Sequence, residues 1–246
     1  MVDGDGAERP VDPSAPTALE ALHPLASTQV EITPTFRHRE TYTRRGLLTT
    51  FTHEPSVDIA RPAAIVACGG ALGGVLGPGR ALYHALGERW SARGVRFVRV
   101  GYREPNNLDL CAHDLACGVE FARDAGAERV VVMGHSFGGA VAVRCAVVMP
   151  VSVVGVVTFA TQSAGCEVAG ALAGRPLLLF HGDRDELLPP QASEVVAAIA
   201  GHGEVVLLPG DGHLLGRSDE VITERLDDWL PAVLGLDGAP RPSDAR

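Results

Sequence analysis

Long apolar runs are missing from this sequence, and none approaches the length that would cross a membrane. An excess of basic residues is missing too. The formal net charge is −9 and the pI is near 5.4, which disfavours nucleic acid, anionic membrane surfaces and polyanionic substrates as partners. No two cysteines stand in a C-x-x-C pair. The five present (Cys68, Cys111, Cys117, Cys145 and Cys166) are odd in number and mostly lie in apolar runs. Free, buried thiols in a reducing compartment are therefore expected. The acidic, polar start Met1-Val2-Asp3-Gly4-Asp5 has no signal-peptide character, so the expected location is cytoplasmic. The nine histidines are scattered, with no H-E-x-x-H or comparable cluster, and no metal site is expected. Internal repeats are absent.

What is present suits one large α/β domain. The 246 residues are 46% hydrophobic and 21% charged, enough for a full core and too apolar for a disordered chain. Residues 1–28, rich in Asp, Pro, Ala and Ser, read as a disordered or loosely docked arm, with a short helix possible over Thr17 to Leu25. Residues 29–235 read as the domain, and 236–246 as a flexible tail. Gln29 to Thr35, Phe36 to Thr43 and Arg45 to His53 alternate as strands of an antiparallel entry. His38 and His53 fall there and are expected on the strand surface. Strands over Pro62 to Ala67, Val95 to Gly101, Val130 to Met133, Val151 to Ala160, Pro176 to His181 and Glu204 to Leu208 then alternate with helices. That alternation predicts a mostly parallel sheet covered by helices on both faces. His113 and Asp114, on the helix from Leu108 to Ala125, are expected to serve packing or the surface.

The chemistry centres on Gly134-His135-Ser136-Phe137-Gly138. A β-branched run precedes it and a small, apolar helix follows. G-x-S-x-G between strand and helix is a nucleophile elbow, which presents the serine oxygen at the strand end. The amide after it then sits at the positive end of a helix. A serine hydroxyl is a weak nucleophile and needs a base, which in turn needs an orienting carboxylate. Asp183, Asp185 and Glu186 follow the strand ending at His181. Of the two histidines beyond them, His202 precedes the last strand and His213 follows it. Parallel strands put all their C-terminal ends on one edge, which selects His213.

A second glycine-rich stretch, Cys68-Gly69-Gly70-Ala71-Leu72-Gly73-Gly74, follows the strand ending at Ala67. It lacks the lysine and the spacing of a phosphate cradle.

These motifs together resemble the α/β-hydrolase family over about residues 36 to 234. The resemblance implies the α/β-hydrolase fold, with an eight-stranded sheet, and no large lid domain, because only Thr161 to Arg175 separate the two strands where lids are inserted. Small esterases and dienelactone-hydrolase-like members are most similar. His181-Gly182-Asp183-Arg184-Asp185, with Pro189, resembles the H-G-x-x-D…P acid loop, which selects Asp185. His181 is then expected to be a structural loop histidine. The order Ser136, Asp185, His213 is the family's order. The Cys68 loop resembles the H-G-G-type oxyanion loop of lipases and esterases, with cysteine where histidine is usual. It implies oxyanion donors at the amides of Phe137 and Gly70. True dienelactone hydrolases use cysteine where this chain has Ser136.

The expected activity is hydrolysis of a carboxylic ester of a small to medium soluble molecule through an acyl-enzyme, with no metal or organic cofactor. Tyr102, Gln162, Leu214 and Leu215 lie on loops placed to line the site. Thioesters, lactones or amides on the same triad are alternatives, as are lyase or cofactor-free peroxidase chemistry on the same fold. So is a ligand-binding shell with little or no turnover. Oligomeric state is not legible.

Overall fold

The runs read above assemble into a sheet of nine strands, one more than the resemblance implies. The computed structural model describes residues 16–236. In it, β1 (Pro24–Thr33), β2 (Phe36–Thr43) and β3 (Gly46–His53) form an antiparallel meander. β3 pairs antiparallel with β5 (Arg96–Gly101). From there the sheet is parallel, through β4 (Ala63–Cys68), β6 (Arg129–His135), β7 (Val153–Phe159), β8 (Leu177–Gly182) and β9 (Glu204–Leu208). The order across it is β1-β2-β3-β5-β4-β6-β7-β8-β9.

Strands covered on both faces need continuous apolar runs rather than alternation. Every residue of β4 and β8 is buried, which matches their sequences Ala-Ala-Ile-Val-Ala-Cys and Leu-Leu-Leu-Phe-His-Gly. One face packs against α2 (Leu108–Asp124), α3 (Phe137–Val148) and α4 (Gln191–Ala200). The other packs against α1 (Leu82–Ser91) and α5 (Asp219–Leu234). α5 shows how the pattern sets the face. Its buried residues Ile222, Leu226, Leu230 and Val233 fall on one helical stripe, with acidic and basic residues opposite. α3 is apolar nearly all round because it is enclosed by β6, β7, α2 and a short 3-10 helix, Ala169–Leu172.

The folded chain begins earlier than the expected boundary at residue 29. A 3-10 turn, Glu20–Leu22, buries Leu22 in the core, and the amides of Ala18 and Leu19 donate to the Glu120 carboxylate at 2.6 and 2.9 Å. His113 Nε2 lies 2.6 Å from the Ala18 carbonyl, so its packing role is to hold this segment on α2. Leu236 is buried at the other end. The remaining arm and tail residues, 1–15 and 237–246, lie outside the described residues.

His53 corrects a second expectation. It is buried, because α1 crosses this face of β3 with Gly87 against the imidazole. Its ring stacks on Phe36 at 4.5 Å between centroids and lies 5.0 Å from His84. Neither ring nitrogen has a hydrogen-bond partner among the described residues. Burial, with Arg99 and His84 adding charge repulsion, pulls its pKa down to about 4. The unfolded chain takes up the same proton near 6.5. Between those values the unfolded chain binds more protons, so stability falls as pH drops through the window. This group should cost at most about 2 kcal/mol between pH 8 and pH 5. His53→Leu sacrifices no hydrogen bond and removes the titration. Urea unfolding at the two pH values should show a pH-dependent loss smaller by about that amount in the variant.

Candidate active site

Ser136 follows β6 with φ 57° and ψ −120°, a backbone conformation that costs an ordinary residue about 1–3 kcal/mol. Neighbouring hydrogen bonds hold it there. The Ser136 amide donates to the Phe159 carbonyl at 2.8 Å, and the Gly139 amide donates to the Ser136 carbonyl at 2.9 Å. The turn is so tight that the backbone closes on itself. A Cβ on Gly134 would overlap the Gly138 carbonyl, and one on Gly138 would overlap the Gly69 carbonyl. Phe137 is the first residue of α3, so its amide has no carbonyl to serve within the helix.

The C-terminal ends of β6, β8 and β9 bring the three distant residues together. His213 Nε2 lies 2.9 Å from Ser136 Oγ, and His213 Nδ1 lies 2.7 Å from Asp185 Oδ2. An ionised carboxylate only accepts, so Nδ1 carries the proton and Nε2 accepts from the serine hydroxyl. The Asp185 side chain is fully buried and His213 is 7% exposed. Burial pushes the Asp185 carboxyl upward. The Leu188 amide, His213 and the Leu187 amide outweigh it, so the group sits below its ordinary range and is ionised at neutral pH.

The competing acids have other places. Asp183 is exposed and accepts from the Gly210 amide at 2.6 Å, which ties the acid loop to the histidine loop. Glu186 is exposed. His202 meets the carbonyls of Ala200 and Arg175 at the opposite edge of the sheet.

The glycine loop runs beside the serine. A Cβ on Gly70 would stand 3.8 Å from Ser136 Cβ and 3.7 Å from the His135 carbonyl. Tyr102 braces this loop. Its hydroxyl donates to the Gly69 carbonyl at 2.8 Å and its ring meets Phe137 edge-on at 6.2 Å. The loop bearing Tyr102 is held in turn by Arg103, ion-paired with the fully buried Asp114 of α2. The Gln162 amide lies 3.4 Å from the Ser136 carbonyl, but its side chain donates to the Ala164 carbonyl at 2.7 Å. Leu214 is exposed, and its carbonyl accepts from the Gly79 amide at 2.6 Å. Leu215 is fully buried in the core, so it supports the loop rather than lining the site. The Cys68 thiol is buried and pushed up to about 12 by that burial, which keeps it protonated and poorly nucleophilic. All five cysteines are free and buried.

Two further histidines join the site. His135 Nε2 donates to the His213 carbonyl at 3.0 Å, with the two rings 5.1 Å apart. Its burial draws the pKa down to about 4, so it is neutral at pH 7. His181, expected to serve only the loop, also touches Asp185. The sequence signals were slight: one is the variable residue of the pentapeptide, the other the last histidine before the acid. Among the described residues, no group of three or more His, Cys, Asp or Glu is placed to hold a metal ion. Nor is any helix long and apolar enough to cross a membrane.

No protein-family model matches the chain, and no curated protein matches it in sequence. Solved structures do. Est1E from Butyrivibrio proteoclasticus is 17% identical, with a TM-score of 0.68 over 80% of this chain and 99% of that one. XC6422 from Xanthomonas campestris, described as an α/β serine hydrolase without a lid, is 19% identical, with a TM-score of 0.62 over 86% and 99%. The putative α/β hydrolase ATU1826 from Agrobacterium tumefaciens is 18% identical, with a TM-score of 0.67 over 83% and 100%. Between β7 and β8, where a lid would be inserted, residues 160–176 carry one short 3-10 helix. The sheet order, the placement of Ser136 after β6 and these likenesses establish that the chain has the α/β-hydrolase fold in its lidless form.

Proposed function

We propose that this protein is a serine hydrolase that cleaves carboxylic esters of small to medium molecules through an acyl-enzyme. The observation that carries the reading is the unbroken contact from Ser136 Oγ through His213 to buried, ionised Asp185. His213 Nε2 takes the hydroxyl proton as Oγ attacks the ester carbonyl, and Asp185 stabilises the imidazolium that forms. The oxyanion is received by the Phe137 and Gly70 amides, each worth about 3 kcal/mol of barrier. His213 returns the proton to the leaving alcohol, the C–O bond breaks and the acyl group stays on Ser136. Water, deprotonated by His213, then releases the acid and restores the hydroxyl.

Exposed Leu72, Leu187 and Leu214 stand in the loops that carry the oxyanion amide, the acid and the base. Exposed Asp183 and Glu186 flank the acid. Apolar loop tips and acidic neighbours favour neutral acyl groups over anionic ones. Thioesters and lactones meet the same machinery and are the second reading. The free thiols support a cytoplasmic setting. A panel of p-nitrophenyl esters of graded chain length, run beside a thioester and an anionic succinyl ester, tests the assignment. Neutral short to medium esters should be turned over fastest, with the succinyl ester slower by about tenfold or more. Hydrolysis of the thioester alone would move the assignment to thioesterase. Hydrolysis of none would favour a ligand-binding shell.

A further inference from the structure

We infer that His181 is a positioning residue for the triad's carboxylate, with Ser193 fixing its tautomer; this rests on the serine-hydrolase reading above. His181 ends β8, is fully buried, and stands four residues before Asp185. Its Nδ1 lies 2.7 Å from the buried Ser193 Oγ in the first turn of α4. Its Nε2 lies 3.1 Å from the Leu188 carbonyl and 3.2 Å from Asp185 Oδ2. A carbonyl can only accept, so Nε2 carries the proton and Nδ1 accepts from the serine hydroxyl. The Nε2–H is then donated to the Leu188 carbonyl, and the ring stands beside Asp185 Oδ2, the oxygen that receives the Nδ1–H of His213.

The consequence is a carboxylate held at both oxygens. Oδ1 takes the amides of Leu187 and Leu188 at 2.8 and 2.9 Å, and Oδ2 takes His213 at 2.7 Å with the His181 ring packed beside it. Leu188 closes the ring, since its amide holds Asp185 and its carbonyl holds His181. The carboxylate cannot rotate without breaking several of these bonds, which sets the line along which it meets His213. Without the His181 donor the Leu188 carbonyl loses its partner, and the Leu188 segment that holds Oδ1 loses its tether.

The experiment compares His181→Leu, His181→Gln and Ser193→Ala with the wild type. The readouts are kcat and KM on p-nitrophenyl butyrate and the chemical shift of the low-field His213 Nδ1–H proton resonance without substrate. His181→Leu should lower kcat about tenfold to a hundredfold with KM changed less than about twofold. Its low-field resonance should move upfield or broaden, because a loosened carboxylate holds Nδ1–H less tightly. Glutamine, whose amide nitrogen can donate to the Leu188 carbonyl in place of Nε2, should restore most of both. Ser193→Ala should change them the same way by less. A folded His181→Leu with the wild-type kcat and resonance would overturn the inference. If that variant fails to fold, a Ser193→Ala protein identical to the wild type in both would do so. If the wild type hydrolyses no ester, the serine-hydrolase reading fails, while the resonance still decides the role of His181.

Discussion

Replacing Ser136 by alanine is expected to lower ester turnover by about five to six orders of magnitude in kcat, leaving a small residue due to the oxyanion amides. The effect is this large because in the proposed cycle Oγ is the atom that forms and breaks the acyl bond, and its hydrogen bond to His213 has no substitute in the site. Stability should change little. The hydroxyl makes one partly buried contact, and alanine meets the same backbone demand at φ 57° that serine does. The loss should therefore appear in kcat with the thermal midpoint close to that of the wild type. Asp185→Asn acts on the same chain from its other end. It leaves the imidazole with the wrong tautomer facing the serine and should cost about four orders of magnitude.

Gly134→Ala should act on the fold rather than on the chemistry. The added methyl would overlap the Gly138 carbonyl and lie 2.8 Å from the Gly139 amide nitrogen. Both are backbone, in the first turn of α3, and neither is the end of a side chain that can swing away. Gly138 is itself pressed on the Gly69 carbonyl, so a shift there is passed on to the oxyanion loop. A loss of about 3 kcal/mol or more in urea unfolding is expected, with no turnover from whatever folds. Gly216→Ala is the control. Its Cβ would meet nothing within 4 Å and its backbone is not left-handed, so its unfolding midpoint should be close to that of the wild type.

Much of this arrangement was legible in the chain. β4, β6 and β8, which end at the site, are buried on both faces and so read as plain apolar runs, and a parallel sheet sends all the C-terminal ends to one edge. His213 follows from that topology, and Ser136 from the G-x-S-x-G pentapeptide between strand and helix. Asp185 needed the family resemblance, because three acids share its loop and only the fold shows Asp183 on the Gly210 amide. The start of β1 was not legible. All ten of its residues are exposed, so it has no buried face to imprint a pattern, and its ladder to β2 holds it in the sheet. The burial of His53 was hidden for a different reason: it depends on how closely α1 crosses β3, and no local pattern carries that distance. The contact between His181 and Asp185 depends likewise on how Ser193 and Leu188 fold back over the acid loop.

Intact-protein mass spectrometry after exposure to a fluorophosphonate at neutral pH tests the activated serine most directly. One adduct per chain, mapped to Ser136, absent from Ser136→Ala and much slower to form in His213→Ala, is the expected result. A folded wild-type protein that takes up no label, or a Ser136→Ala protein that labels equally well, would contradict it.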